Sequence, residues 1–181
     1  AAHMPRASCK DEKSRVLEHN DRIAENLRAR FHEGGVFCLN LIGSPGSGKT
    51  TLLEAVLPRL AERFPCGVVE GDVATDNDMR RIAALGIPAV QIETGGGCHL
   101  TAEMVEKALG DLPGGLRLLV IENVGNLICT AAYDLGEDRR VVVISIAEGE
   151  DKPLKYPAAF VSAHMAVVTK TDLEPHVNAG V

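Results

Sequence analysis

The run GSPGSGKT, from Gly43 to Thr50, has the spacing G-x-x-x-x-G-K-[ST] and lies directly behind the apolar stretch Val36 to Ile42. Residues of these types at this spacing hold a polyphosphate. Gly43, Gly46 and Gly48 let the backbone turn its N–H groups inward around an anion, and Lys49 offsets the charge of the β- and γ-phosphates. Thr50 presents a hydroxyl to Mg²⁺, and Ser47 and Thr51 belong to the same cofactor-binding run. A helix expected over Lys49 to Glu62 aims the positive end of its dipole at the same anion. The implied ligand is a nucleoside triphosphate.

Further candidates follow other apolar runs, where the carboxyl ends of parallel strands carry ligands. Glu70-Gly71-Asp72 leads into a polar loop, Val73 to Asp78. Asp72 is placed to hold Mg²⁺ directly or through water, with a turn or helix-capping role as the alternative. Asp76 reads first as the cap of the next helix and second as a residue that orients the attacking water. Glu122-Asn123-Val124-Gly125 resembles the D-x-x-G element of GTPases, with glutamate in place of aspartate. In that element the glycine amide, here Gly125, senses the γ-phosphate while the acidic residue, here Glu122, approaches Mg²⁺; a plain strand-end turn would read the same way.

Thr169-Lys170-Thr171-Asp172 resembles the guanine-reading element N-K-x-D. A carboxylate at Asp172 accepts from both N1–H and the 2-amino group of guanine, donors that adenine lacks, and Lys170 lays its alkyl stem over the base. Thr169 stands where that pattern has asparagine. A carboxamide that braces the loop is therefore missing, which puts nucleotide affinity in question more than base choice.

A second chemistry is carried by softer side chains. Thr94-Gly95-Gly96-Gly97-Cys98-His99 is a glycine-rich loop ending in a thiol and an imidazole, and Cys129 lies four residues beyond Gly125. Thiolate and imidazole suit Zn²⁺ or Ni²⁺ far better than Mg²⁺. Cys98-His99 alone is weak, because neighbours in sequence point apart as often as together and cysteine is commonly a small core residue. Both segments follow strands, however, and so reach one edge of the sheet. Three such ligands leave a coordination position open for water, a substrate group or a partner's ligand. Cys38, Cys66 and Cys9 are poorer candidates, lying within the first strand, before the second, and in the tail.

The elements that must position these groups alternate along the chain. An amphipathic helix is expected from Lys10 to His32, with Val16, Leu17, Ile23, Leu27 and Phe31 as its apolar stripe and Gly34-Gly35 as its end. Strands are expected at Gly67 to Glu70, Ala89 to Ile92, Leu116 to Glu122, Val141 to Ala147 and Met165 to Thr169. Helices separate them at Asp76 to Leu85 and Leu100 to Leu109, with Gly86 and Gly110 as stops. This order predicts an α/β fold with a mostly parallel sheet covered by helices on both faces.

The 181 residues, 45% hydrophobic and 24% charged, fit one domain with a sizeable core. A formal charge of −6 without a long Lys/Arg block argues against nucleic acid as the main partner. Arg80-Arg81 and Arg139-Arg140 read as solvated helix and loop faces. No apolar run approaches membrane-span length, so the expectation is a cytoplasmic protein with no membrane partner. Five cysteines at irregular spacing form no disulfide framework. Ala1 to Met4 read as an expression scar, 5–34 as a tail and the amphipathic helix, and 35–181 as the P-loop domain.

The ordered set GSPGSGKT, EGDVATDND, ETGGGCHL, ENVGNLIC, EGEDKPLKYP and TKTD resembles the hydrogenase/urease nickel-incorporation GTPases, most of all the HypB type, over nearly the whole chain from Gly35. The resemblance implies a SIMIBI-type GTPase fold and a homodimer promoted by GTP. It implies nickel or zinc on Cys98, His99 and Cys129, and magnesium at Thr50 and Asp72. It further implies delivery of nickel to the large subunit of [NiFe] hydrogenase, helped by a small zinc-containing partner. Lys49, Asp72 and Asp76 would serve hydrolysis. A cysteine- or histidine-rich N-terminal nickel site, found in some members, is absent around Ser8-Cys9-Lys10. Members also continue past the position of Val181 with a strand, a second guanine-contacting loop and a closing helix, so the expectation is a truncated domain. Glu148 to Pro157, with Lys152 and Lys155, reads either as a solvated charged loop or as a segment reaching nucleotide or a partner subunit. Three other readings stay open: a urease-type accessory GTPase, a metal-sequestering protein whose nucleotide only sets oligomeric state, and a small-molecule kinase, against which Asp172 argues.

Overall fold

A computed structural model describes residues 9–72 and 77–177. Its six strands form one sheet in the order β3-β2-β4-β1-β5-β6, and every neighbouring pair is parallel. The strands are β1 (Phe37–Gly43), β2 (Cys66–Asp72), β3 (Ala89–Glu93), β4 (Leu118–Gly125), β5 (Arg139–Ser145) and β6 (Met165–Thr169). The helices are α1 (Cys9–Gly34), α2 (Lys49–Ala61), α3 (Asn77–Ala83), α4 (Ala102–Ala108), α5 (Lys152–Lys155) and α6 (Pro157–Ser162).

Alternation along the central strands sorts the core into two layers. Cys38, Leu119 and Ile121 pack with Ala24, Leu27 and Phe31 of α1 and with Ala102, Val105 and Ala108 of α4. Leu41, Val68, Leu118 and Val120 face the other way, against Leu53 and Leu57 of α2 and Ile82 of α3. Ile42 and Val142 meet Ala159 of α6. Both faces are covered, as the alternating pattern requires, and α1 is part of the core although its Val16 end stays exposed. Among the described residues no helix is long and apolar enough to cross a membrane.

Among the expected boundaries that move, three do so for a clear local reason. β5 stops at Ser145 instead of continuing to Ala147, because Ser145 and Glu148 form a reciprocal cap that starts a 3-10 turn at Ile146–Glu148. β4 runs on to Gly125, since it pairs with β1 as far as Gly43. Gly110 does not stop a helix: α4 ends at Ala108 and passes into a 3-10 turn over Leu109–Asp111. Gly86 does adopt the left-handed φ of +77° expected beyond a helix end.

Arg140 corrects the reading of Arg139-Arg140 as a solvated face. It is buried, and its guanidinium donates to Glu137 Oε1 at 2.6 and 2.8 Å and to the carbonyls of Ala131 and Tyr133 at 2.9 Å. Strand alternation turns Arg140 inward while Arg139 remains exposed. Arg140→Ala leaves the buried Glu137 carboxylate without its cation and should cost about 3–5 kcal/mol. Arg139→Ala should stay within about 0.5 kcal/mol of the parent. Urea denaturation of the two variants side by side measures the difference.

Candidate functional site

The carboxyl edge of the sheet carries a cleft of about 420 Å³, lined by Pro45, Gly46, Gly48 to Thr51, Glu70, Gly71, Asp78, Arg81, Glu122 to Gly125 and Lys170. β1 ends at Gly43, and the loop turns through Gly46 and Ser47 into α2 at Lys49. Gly48, at φ +90°, is the residue before the helix, a conformation that a side chain resists. Lys49, Thr50 and Ser47 are buried at the helix start, while Thr51 is exposed and accepts from Arg81. Gly125 closes β4 against this loop, and a Cβ there would lie 3.0 Å from Pro45 Cα. The phosphate-sensing and phosphate-cradling candidates thus touch.

Inside the cleft the Thr50 hydroxyl donates to Glu122 Oε1 at 2.9 Å. Glu70 and Glu122 are register partners on β2 and β4, so their side chains share a face. Both are almost fully buried, and the second oxygen of each lacks a hydrogen-bond partner. With Asp78, their carboxylate oxygens lie within 4.8 Å of one another. Burial and then the Glu122 charge push the Glu70 carboxyl up to about 11. Glu122 is also raised by burial, against the pull of Lys49 and the Thr50 hydrogen bond. Unsatisfied oxygens beside a threonine hydroxyl form a hard oxygen donor set suited to Mg²⁺. Glu70 and Asp78 were not singled out from sequence. For Glu70 the missing signal is the register pairing of β2 with β4, which appears only in the folded sheet, while Asp78 joins them from α3. Asp72 closes β2, but its side chain and all of Asp76 lie outside the described residues.

The turn after β6 meets the phosphate loop. Thr169 Oγ1 donates to the Ser47 carbonyl at 2.5 Å and Lys170 Nζ to the Gly46 carbonyl at 2.8 Å. The hydroxyl therefore braces the loop where a carboxamide was expected to be needed. Lys170 holds a left-handed φ of 57° at the head of the 3-10 turn Thr171–His176, and Asp172 is exposed in that turn's start. Arg81, expected to be simply solvated, is tied to Glu54 at 2.6 Å and to Asp78 at 2.9 Å beside the cleft. Lys152 reaches the P-loop through Ser44 Oγ at 3.3 Å and Glu148 at 3.2 Å, so that segment is more than a solvated loop; Lys155 pairs with Asp151 at the surface.

The three soft side chains converge. Cys98, His99 and Cys129 are half-buried, with ligand atoms all within 4.8 Å of one another. The His99 ring stacks on Tyr133 with centroids 3.8 Å apart, and partial burial lowers its pKa, favouring the neutral imidazole a metal requires. Asn126 Oδ1 accepts from the backbone N–H of Ile128 and of Cys129 at 2.8 Å, fixing the turn that presents Cys129. Tyr133 and Asn126 went unnoticed in the sequence, although asparagine after glycine is a turn signal. Cys38 and Cys66 are buried with thiol pKa values raised by burial, as inert core cysteines should be.

Glu70 sets a pH dependence whose sign follows from proton counts. Its ordinary value is 4.5 and its folded value about 11, so the folded protein holds a proton that the unfolded chain releases above pH 4.5. Stability without nucleotide should then fall as pH rises from 5 to 8, by up to about 1.4 kcal/mol per pH unit from this group. Glu70→Gln should flatten that slope, as measured by denaturation at stepped pH.

Residues 37–180 match the family described as the CobW/HypB/UreG nucleotide-binding domain. The hydrogenase maturation factor HypB of Azotobacter vinelandii is 55% identical over 90% of this chain and 54% of its own length, and that of Escherichia coli K12 is 53% identical over 90% and 57%. The chain thus spans about half the length of these curated relatives. The hydrogenase/urease maturation factor HypB of Helicobacter pylori is 42% identical, over 93% of this chain and 72% of its own. A crystal structure of Helicobacter pylori HypB in complex with nickel superposes with a TM-score of 0.84 at 41% identity, over 90% of this chain and 77% of that one. The Aeropyrum pernix signal recognition particle 54 kDa protein, solved with GDP, shares the fold at a TM-score of 0.59 and 20% identity, over 80% of this chain and 36% of that one. On these grounds the chain belongs to the CobW/HypB/UreG nucleotide-binding domain family, among the HypB maturation factors.

Proposed function

We propose that this chain is a GTP-hydrolysing metallochaperone domain that binds nickel, or zinc, and couples nucleotide state to nickel delivery during [NiFe] hydrogenase maturation. The observation that carries this reading is the convergence of Cys98, His99 and Cys129 within 4.8 Å at the strand ends, with Cys129 four residues beyond Gly125 of the cleft. The nickel held by the Helicobacter pylori relative supports nickel as the cargo.

In this reading the backbone of Gly43 to Gly48 and the Lys49 ammonium cradle the β- and γ-phosphates, and Gly125 senses the γ-phosphate beside Pro45. Thr50, Asp72 and Glu122 would hold Mg²⁺, which neutralises charge developing on the transferring phosphoryl oxygens. The orphaned carboxylate oxygens of Glu70 and Glu122 fit that ion. Asp172 selects guanine over adenine, and Lys170 packs its stem on the base. Asp76 orients water or caps α3. Cys129 shares its segment with the sensor, so loss of the γ-phosphate shifts one thiolate relative to Cys98 and His99, and a shift of about an ångström weakens coordination. A GTP-promoted homodimer, a small zinc-containing partner, the hydrogenase large subunit as client and a cytoplasmic location complete the proposal. The Helicobacter relatives, named as hydrogenase/urease factors, support urease as a second client.

Two measurements test the reading. Lys49→Ala should lower the rate of phosphate release from GTP by about 10²–10³-fold, as expected for loss of a charge aimed at the transition state. Turnover in the parent that does not depend on Lys49 would favour the sequestering protein instead. Ni²⁺ titration against a competing chromophoric chelator should give one tight site per chain, and Cys98→Ala should weaken it by at least about a hundredfold. Unchanged affinity in that variant would move the cargo site elsewhere.

A further inference from the structure

We propose that Asn123 is the positioning residue that carries nucleotide state from the cleft to the Cys98–His99–Cys129 cluster. The inference rests on the coupling proposed above and names the group through which it acts. Glu122 and Asn123 are consecutive in β4 and face opposite ways. Glu122 bonds Thr50 on the α2 side, whereas Asn123 bonds Asn40 on the face where Cys38, Leu119 and Ile121 pack against α1 and α4.

β4 is irregular at this point. Its pairing with β1 steps from Leu41–Glu122 to Gly43–Gly125, so β4 has one more residue than its partner between these pairs. At this bulge Asn123 Oδ1 accepts the Val124 N–H at 3.0 Å. The same oxygen accepts the N–H of Leu100, the residue after His99, at 3.4 Å. One carboxamide oxygen therefore joins the segment entering Gly125 to the backbone of the metal loop, and both of its lone pairs are in use.

The amide nitrogen opens a second arm, which ends on the His99 imidazole. Asn123 Nδ2 donates to Asn40 Oδ1 at 3.3 Å, and Asn40 Nδ2 donates to Glu137 Oε1 at 3.0 Å. Glu137 holds Arg140, which donates to the Tyr133 carbonyl at 2.9 Å, and the Tyr133 ring stacks on His99. Asn123, Asn40, Glu137 and Arg140 are all buried. None can lose a partner to water cheaply, so a shift of Val124 and Gly125 either drags the network or breaks it.

The test compares Ni²⁺ dissociation constants with GDP and with a non-hydrolysable GTP analogue, by chelator competition, in the wild type, Asn123→Ala and Asn40→Ala. The wild type should show a ratio of about tenfold or more between nucleotide states. Asn123→Ala, which cuts both arms, should bring the ratio within about twofold of unity, and Asn40→Ala, which cuts one, should fall between. A purely structural asparagine would lower the melting temperature and leave the ratio intact. A wild-type ratio of one overturns the coupling itself. A large wild-type ratio that persists in a folded Asn123→Ala overturns only the role of Asn123. Should Asn123→Ala fail to fold, amide exchange at Leu100 in the wild type decides: faster exchange with GDP than with the analogue is expected, and equal exchange refutes the relay.

Discussion

Because β1 lies between β4 and β5 and pairs in parallel with both, three strand ends open at the same level on one edge of the sheet. The phosphate loop leaves β1 there, the Glu122–Gly125 segment leaves β4 there, and the Ser145–Glu148 cap leaves β5 there. Parallel strands oblige the chain to cross over through helices, so both faces become buried and the edge becomes the place where polar groups can converge. Pro45 against Gly125 and Thr169 against Ser47 are contacts across that edge. The first depends on the β1–β4 register and the second on the β1–β5 and β5–β6 registers, so β1 is common to both.

Strand alternation then divides two kinds of donor. On the α2 side the edge presents carboxylates and a hydroxyl, Glu70, Glu122 and Thr50. On the α1 and α4 side it presents thiols and an imidazole through the loop before α4 and the turn after β4. Hard oxygen donors and soft sulfur and nitrogen donors select different ions by their own chemistry. A single sheet thus keeps the two donor sets apart, although β4 supplies one carboxylate and the turn after it one thiol.

Much of this was legible in the sequence because the relevant signals are local. GSPGSGKT announces its own turn, the strand runs are short and β-rich, and Cys98-His99 names its donors. What was not legible depends on pairing between distant segments. Glu70 acquires its raised pKa only when β2 sets it beside Glu122, and Arg140 turns inward only because β5 is central. Thr169 looked like a defect in a guanine-reading motif, yet the folded turn brings its hydroxyl to the Ser47 carbonyl. A motif states residue types, whereas the brace needs only a donor at the right place.

Lys49, Arg81 and Lys170 share the cleft with Glu70, Asp78 and Glu122, and Arg81 is already tied to Glu54 and Asp78. A triphosphate brings several negative charges beside buried carboxyl groups, where like charges repel more strongly than in water. The proton held by Glu70 lowers that repulsion in the ligand-free protein, and a divalent cation at the same oxygens would replace it with greater charge. The burial that raises the Glu70 carboxyl is thus the same feature that would make an Mg²⁺–nucleotide complex, and not free nucleotide, the species this cleft accepts.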